Sequence, residues 1–256
     1  MQEAEDRRPE RVADRPHLLG RGELDGVLEV VVRDRGIDRH DRIRLASWFV
    51  RDIWIIRPER EQTMAEVVLY HHAQGLTEGV RAFADELRQA GHTVHLPDMY
   101  EGKTFDTLDE GLDYARQTGF GKVNERGIAA VEGLGDALVY AGFSLGGMPA
   151  QQLAQTRPGA KGALLFHSCV PVSEFGEAWP EGVPVQVHGM DADPFFTEED
   201  GDLASARALV ASTDQAELFL YPGKEHLFTD ASLPAYDKDA TTLLMTRVLS
   251  FLEPIR

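Results

Sequence analysis

A serine, an aspartate and a histidine are the residues of this sequence with the clearest chemical potential. Ser144 is the central residue of GFSLG (residues 142–146), which fits the pattern G-x-S-x-G, while Asp193 follows in HGMDADPF and His226 in YPGKEHLF. A serine hydroxyl is a weak nucleophile until a base takes its proton, and a histidine oriented by a carboxylate can be that base. The order serine, aspartate, histidine therefore predicts attack of Ser144 on an acyl carbon.

The segments on either side of Ser144 favour a nucleophile over the alternative, a capping serine in a glycine-rich turn. An apolar run typical of a buried strand ends there, and a segment of helical period, MPAQQLAQTRPG, follows. A strand that becomes a helix within one residue strains that residue, and flanking glycines remove the Cβ atoms that would collide. The helix N-terminus would also direct free N–H groups, that of Leu145 first, at an oxyanion beside the serine.

Two aspartates compete for the role of the acid that orients the histidine. Asp191 and Asp193 both follow the fifth predicted strand, and either could simply be a turn residue. We favour Asp193 because the proline after it holds the loop extended, and Asp191 stays the alternative. His226 lies in a Pro/Gly turn after the last predicted strand. Since parallel sheets bind ligands at the carboxyl ends of their strands, these residues and Ser144 are expected at one edge.

The loop after the first predicted strand is expected to complete the site. Its sequence, HAQGLT, lies where such a fold supplies a second oxyanion N–H, which we assign to Ala73, with His72 bordering the substrate pocket. His71 and His72 point to opposite faces of the strand, so they do not easily share a metal ion. The single cysteine, Cys169, excludes an internal disulfide and a multi-cysteine zinc site. We therefore expect neither a metal nor an organic cofactor.

Six short apolar runs alternate with longer segments of helical period from residue 64 onward. The runs are too apolar for a half-solvated sheet, which indicates strands buried on both faces of a parallel sheet. The segment TEGVRAFADELRQAG, with Thr77 as N-cap and Gly91 as stop signal, is typical of the helices between them. This alternation predicts a doubly wound, mostly parallel α/β sheet flanked by helices. The predicted strands are EVVLYH (66–71), HTVHLP (92–97), ALVYAGF (137–143), GALLFH (162–167), PVQVHG (184–189) and AELFLYP (216–222).

Residues 1–63 differ in composition from residues 64–256. They contain thirteen Arg, no Lys and fourteen Asp or Glu, and their apolar residues show no sustained periodicity. We interpret them as an extension, either a flexible tail or upstream sequence that precedes a true start at Met64. A small docking element is a third, less favoured interpretation. A protein that begins at Met64 is expected to keep its solubility and melting temperature.

Charge and hydropathy limit the partners of the chain. The net charge of −17 argues against nucleic acid and anionic membranes, because phosphates would be repelled. No window approaches the roughly 18 consecutive apolar residues of a membrane span, and the N-terminus is polar where a signal peptide would be apolar. We therefore expect a cytoplasmic protein, monomeric or weakly dimeric, that acts on a small molecule.

Residues 64–256 resemble the dienelactone hydrolases of the α/β-hydrolase superfamily. Five motifs carry the resemblance and occur in the family's order: VVLYHHAQGL, AGHTVHLPDMYEG, GFSLGG, VHGMDADP and YPGKEHLF. The resemblance implies an α/β-hydrolase fold with little or no lid, in which Ser144, Asp193 and His226 occupy the triad positions. It also implies hydrolysis of a carboxylic ester or lactone.

The sequence departs from the best-known members of that family at three places. Ser144 stands where they have a cysteine, and His72 stands where they have a glutamate. They hold a substrate carboxylate with two arginines; here the first neighbourhood, PDMYEGKTF, offers Lys103 as its cation, and the second position is Asp230. Acidic residues at these places would repel an anionic lactone. The sequence therefore looks more like an ordinary serine esterase.

Two other hypotheses remain open at this point. A catalytically silent α/β-hydrolase domain could serve binding or regulation, although such a domain has no reason to retain all three triad residues. A thioesterase or peptidase could use the same scaffold, because fold and triad do not fix the acyl substrate.

Overall fold

The computed structural model describes residues 64–198 and 201–255, which form a parallel sheet covered by helices. Within this part the six strands lie in the order β2-β1-β3-β4-β5-β6. Every predicted strand is present, with ends within two residues of those predicted. The predicted extension, residues 1–63, lies outside the described residues. The strands are β1 (Glu66–Tyr70), β2 (Thr93–His95), β3 (Leu138–Phe143), β4 (Gly162–Phe166), β5 (Val185–Met190) and β6 (Ala216–Tyr221).

Helices connect most of the strands. The first begins after Thr77, whose hydroxyl accepts a hydrogen bond from the N–H of Val80, and it ends before Gly91, at φ 97°. Among the described residues no helix is long and apolar enough to cross a membrane. The helices are α1 (Glu78–Gln89), α2 (Leu108–Thr118), α3 (Phe120–Ala129), α4 (Gly147–Thr156), α5 (Asp202–Ser212) and α6 (Lys238–Leu252).

Helix α2 has no counterpart among the segments assigned from the sequence. Its start is a capping box, in which Thr107 accepts from the N–H of Glu110 and the Glu110 carboxylate accepts from the N–H of Thr107. The pattern T-x-x-E that makes such a box was present in the sequence and could have located this helix.

Apolar side chains of the sheet point alternately into two cores. Val67 and Leu69 of β1 join the core beneath α1 and α6, whereas Val68 and Tyr70 join the core beneath α3, α4 and α5. Because both faces are covered, the central strands are apolar throughout, as the six sequence runs predicted.

The parallel register brings the carboxyl ends of the strands to one edge. Tyr70 of β1 pairs with Gly142 of β3, and Met190 of β5 pairs with Tyr221 of β6. Each of these strands is followed within five residues by a segment that the sequence assigned to the site. At this edge the loop after β1 therefore lies near the turn at Ser144, and the loop after β5 lies near the loop after β6.

Candidate active site

Ser144 lies in a sharp turn between β3 and α4. Its φ is 47°, in the left-handed region that residues with a side chain rarely adopt. Gly142 and Gly146 leave room for this turn: a Cβ at Gly142 would overlap the carbonyl oxygen of Gly146, and one at Gly146 would lie 2.6 Å from the carbonyl oxygen of His71. The strained serine and its two glycines are thus parts of one closely packed turn.

The hydroxyl of Ser144 begins a continuous chain of hydrogen bonds through side chains from two other loops. Ser144 Oγ lies 2.8 Å from Nε2 of His226, and Nδ1 of His226 lies 2.7 Å from Oδ2 of Asp193. Because a carboxylate only accepts hydrogen bonds, Nδ1 of His226 carries the proton and Nε2 is left to accept from the serine. This is the tautomer that a general base for Ser144 requires.

Of the two candidate aspartates, Asp193 is the one that contacts the histidine. It is fully buried, and its second oxygen accepts from the N–H of Phe195 at 2.9 Å. Asp191 is exposed and accepts instead from the N–H of Gly223 at 3.1 Å. Asp191 therefore holds the loop before His226, and Asp193 holds the imidazole ring.

The amides assigned to an oxyanion hole come from neighbouring strands. Tyr70 and Gly142 are paired in the sheet, and Ala73 and Leu145 each lie three residues beyond them. Leu145 is in the first turn leading into α4, where N–H groups have no partner within the helix. The N–H of Ala73 donates to no acceptor within the part of the chain that the structure describes. Both groups therefore stay candidate donors to a substrate oxygen.

His72 is buried, with 1% of its surface exposed, and its ring joins two loops instead of presenting an open face to substrate. Its Nδ1 accepts from the N–H of Gln74 at 3.2 Å, so its Nε2 carries the proton and donates to Oδ2 of Asp230 at 2.8 Å. This hydrogen bond, which we call the His72–Asp230 tie, joins the loop that carries Ala73 to the loop that carries His226. The expectation that His72 borders the substrate pocket stays a prediction.

Asp230 is the acceptor at the centre of this tie. Besides His72, the hydroxyl of Thr77 and both the N–H and the hydroxyl of Ser232 donate to its carboxylate. Burial by itself would raise the pKa of Asp230, but the hydrogen bonds from His72, Ser232 and Thr77 outweigh it and hold the pKa at about 2. The carboxylate is therefore ionised at neutral pH.

Two other histidines, His167 after β4 and His188 within β5, are core residues. His167 follows β4 at φ 60°, packs 4.8 Å from the ring of Phe228 and 5.8 Å from that of His226, and pairs its Nε2 with Thr229. Burial and the neighbouring histidines lower the pKa of His167 well below its usual value. Burial also lowers the pKa of His188, to about 3. Both rings are therefore neutral, and that of His167 packs beside His226 without adding charge.

Cys169 has no role as a rival nucleophile. Its side chain is buried, and burial together with Asp202 raises the pKa of the thiol to about 12. A thiol with such a pKa is protonated at neutral pH and chemically inert. Among the described residues there is also no group of three His, Cys, Asp or Glu side chains placed to hold a metal ion.

A groove of about 430 Å³ opens beside His226, and we call it the His226 groove. Seven of the thirteen residues that line it are apolar, and the polar ones include the charged residues Asp106, Lys224 and Glu225. Sequence reasoning missed this groove, because its walls come from loops after four different elements. Its walls include Gln74, Leu108, Phe195, Leu233 and Pro234.

Comparisons with known proteins agree with this fold and with the resemblance seen in the sequence. The model of the dienelactone hydrolase family matches residues 52–256. The chain belongs to the dienelactone hydrolase family. As a member of this family the protein is a hydrolase, which confirms the predicted enzyme class.

Solved structures share the α/β-hydrolase fold of this dienelactone hydrolase family member. The promiscuous phosphotriesterase P91 from metagenomic libraries, described as dienelactone hydrolase-like, has a TM-score of 0.59 at 18% identity, over 77% of this chain and 88% of that one. The dienelactone hydrolase from Anabaena variabilis has a TM-score of 0.52 at 15% identity, over 76% and 88%. Esterase PE8 has a TM-score of 0.52 at 19% identity, over 76% and 94%. A search of curated protein sequences found no match.

Proposed function

We propose that this protein is a serine hydrolase that cleaves a small carboxylic ester or lactone through an acyl-enzyme on Ser144. The observation that carries the proposal is the unbroken chain from Ser144 Oγ to Nε2 of His226 and from Nδ1 of His226 to buried Asp193. Family membership supports hydrolysis, and the hydrogen-bonded chain supports serine as the nucleophile.

Acylation of Ser144 is the first half of the proposed reaction. Nε2 of His226 takes the hydroxyl proton as Oγ attacks the carbonyl carbon, and Asp193 stabilises the imidazolium that forms. The amides of Ala73 and Leu145 donate to the oxyanion of the tetrahedral intermediate, each contact being worth about 3 kcal/mol. The bond between the acyl carbon and the alcohol oxygen then breaks as Nε2 of His226 gives the proton to that oxygen.

Deacylation repeats these steps with water as the nucleophile. His226 takes a proton from the water as its oxygen attacks the acyl carbon, and the same two amides hold the second oxyanion. When the intermediate collapses, the acid leaves and Ser144 Oγ recovers its proton from His226. The cycle uses only side chains and amides of this chain together with water.

A fluorophosphonate probe tests the nucleophile directly. We expect stoichiometric labelling of the wild-type protein on Ser144 and none of Ser144→Ala, with loss of esterase activity in the same variant. Labelling at another residue, or full activity in Ser144→Ala, would contradict the proposal.

Turnover of a panel of short-chain esters, lactones, thioesters and peptides identifies the class of acyl substrate. We expect turnover of esters or lactones. Turnover of thioesters or peptides alone would reassign the substrate and keep the nucleophile. A folded protein that turns over none of them and is not labelled would instead be a silent binding domain.

A further inference from the structure

The position of the His226 groove relative to the triad identifies the part of the substrate it can hold. In the proposed mechanism Nε2 of His226 gives its proton to the leaving alcohol, so the alcohol oxygen has to lie beside that ring. The groove is lined by His226 itself and by Gln74, which follows the proposed oxyanion donor Ala73. The groove therefore opens beside the ring that would give its proton to the leaving alcohol.

The walls of the groove suit an apolar group. Phe195 is the most distinctive wall residue, because 47% of its surface is exposed although it is a large aromatic side chain. The centre of its ring lies 4.9 Å from that of His226, so an exposed aromatic side chain lies beside the histidine that would protonate the leaving group. Leu108, Leu233 and Pro234 line other parts of the same groove. The volume of about 430 Å³ is within the range of small-molecule sites.

The charges around the groove disfavour an anionic leaving group. Among the charged residues that line it, Asp106 and Glu225 outnumber the one cation, Lys224. Lys103, the cation suggested by the sequence, instead lies 4.4 Å from the centre of the Tyr114 ring and does not line the groove. A carboxylate in the groove would therefore meet more negative charge than positive.

We propose that the His226 groove binds the alcohol portion of the substrate, that it selects uncharged, apolar alcohols, and that Phe195 determines this selectivity. The proposal rests on the proposed ester hydrolysis through Ser144. It assigns a substrate class, esters of uncharged apolar alcohols, and a residue whose side chain contacts the leaving group.

Three butyrate esters with alcohols of similar reactivity test the selectivity of the wild-type protein. Benzyl and 4-carboxybenzyl butyrate differ by one remote carboxylate, and methyl butyrate lacks the apolar ring. We expect kcat/KM for the benzyl ester to exceed that for the 4-carboxybenzyl ester by about tenfold or more. An equal or higher kcat/KM for the 4-carboxybenzyl ester would overturn the proposal.

Substitution of Phe195 tests its role. Phe195→Ala is expected to lower kcat/KM for the benzyl ester about tenfold, mainly through KM, and to change that for the methyl ester less than about twofold. Phe195→Leu should restore part of the loss. Phe120→Ala is a matched control, because Phe120 begins α3 outside the groove and is 46% exposed. This control substitution should leave kcat/KM unchanged for all three esters.

The outcomes separate this proposal from the one on which it rests. If the benzyl and methyl esters lose activity equally in Phe195→Ala, Phe195 acts only by supporting His226 and the selectivity proposal is wrong. If the wild-type protein cleaves esters without regard to the alcohol, the groove proposal alone fails. If it cleaves none of them and the fluorophosphonate probe does not label Ser144, the proposed function fails as well.

Discussion

Asp193 shows that the contacts of a residue, as well as its type, determine the role proposed for it. Asp191 and Asp193 are the same residue type two positions apart, yet one is exposed and holds a turn while the other is buried against His226. The proline that follows Asp193 favoured this choice from the sequence. What distinguishes Asp193 from Asp191 is the 2.7 Å contact between its Oδ2 and Nδ1 of His226, and this contact exists only in the folded chain.

Asp193→Asn is expected to lower kcat about 10³-fold to 10⁴-fold. The amide cannot stabilise the imidazolium and favours the wrong tautomer of His226. Steady-state kinetics on a short-chain ester measure this loss. Asp191→Asn is the control and should keep activity within about twofold, because an asparagine oxygen can still accept from Gly223. Equal losses in both variants would show that Asp193 has no special role.

The turn from β3 into α4 shows how two secondary-structure elements hold the proposed nucleophile. Ser144 is strained, and neighbouring chain packs so tightly that neither Gly142 nor Gly146 has room for a Cβ. Strand, turn and helix therefore hold one conformation, which fixes the serine hydroxyl within 2.8 Å of His226.

Gly142→Ala is expected to lower the free energy of unfolding by at least about 2 kcal/mol and to abolish most activity, because the added methyl group would overlap the carbonyl oxygen of Gly146. Urea denaturation and ester hydrolysis measure the two effects. Gly121→Ala in α3 is the control, since its Cβ would meet no atom within 4 Å. Alanine is the better helix former, so this variant should be unchanged or up to about 1 kcal/mol more stable. A stable, fully active Gly142→Ala would contradict this account of the turn.

The tie between His72 and Asp230 joins two loops of the site. We expect Asp230→Asn to lower the free energy of unfolding by about 3 kcal/mol at pH 7, because an amide nitrogen would face donors that now bind a carboxylate. Activity should fall with it, since the loops of Ala73 and His226 would separate. Asp113→Asn, which removes half of an exposed ion pair with Arg116, should have little effect on either measurement.

The pH dependence of stability gives the same tie a second test. The pKa of Asp230 is about 2 in the folded protein against an ordinary value of 3.8, so its stabilising effect is complete above pH 3.8 and is lost as the pH falls through 2. The difference in unfolding free energy between wild type and Asp230→Asn should therefore be constant from pH 7 to about 5 and should shrink below pH 4. A difference that stays constant down to pH 3 would show that Asp230 is not held as an ionised acceptor.

At the scale of the whole molecule, charge acts on substrates before they reach the site. The net charge is −17, and the residues of the His226 groove add no compensating cation beyond Lys224. Salt screens such a field, with a Debye length of about 30 Å at 0.01 M and about 3 Å at 1 M. Added salt should therefore raise kcat/KM more for an anionic ester than for a neutral one.

We expect kcat/KM for 4-carboxybenzyl butyrate, relative to benzyl butyrate, to rise about threefold between low and high ionic strength. The neutral ester corrects for any general effect of salt on the protein. A ratio that does not change would place the whole discrimination in short-range contacts within the groove.

Much of the fold and of the site was predictable because the signals are local. Each strand is a continuous apolar run, since both faces of the sheet are buried, and each helix start or turn depends on a few neighbouring residues. The sequence alone therefore determined a doubly wound α/β architecture, the family resemblance and the candidate residues Ser144, Asp193 and His226. It left α2 unassigned, although Thr107 and Glu110 carried the signal.

Only the tertiary structure decided features that depend on residues far apart in the chain. The contact between His72 and Asp230 joins positions 158 residues apart, and no local pattern fixes which side chain a buried imidazole will meet. The same holds for the His226 groove, whose walls come from several loops. The sequence determined which chemistry the chain could carry, because that follows from residue types. Packing decided which groups meet, because contacts follow from distances in the folded chain.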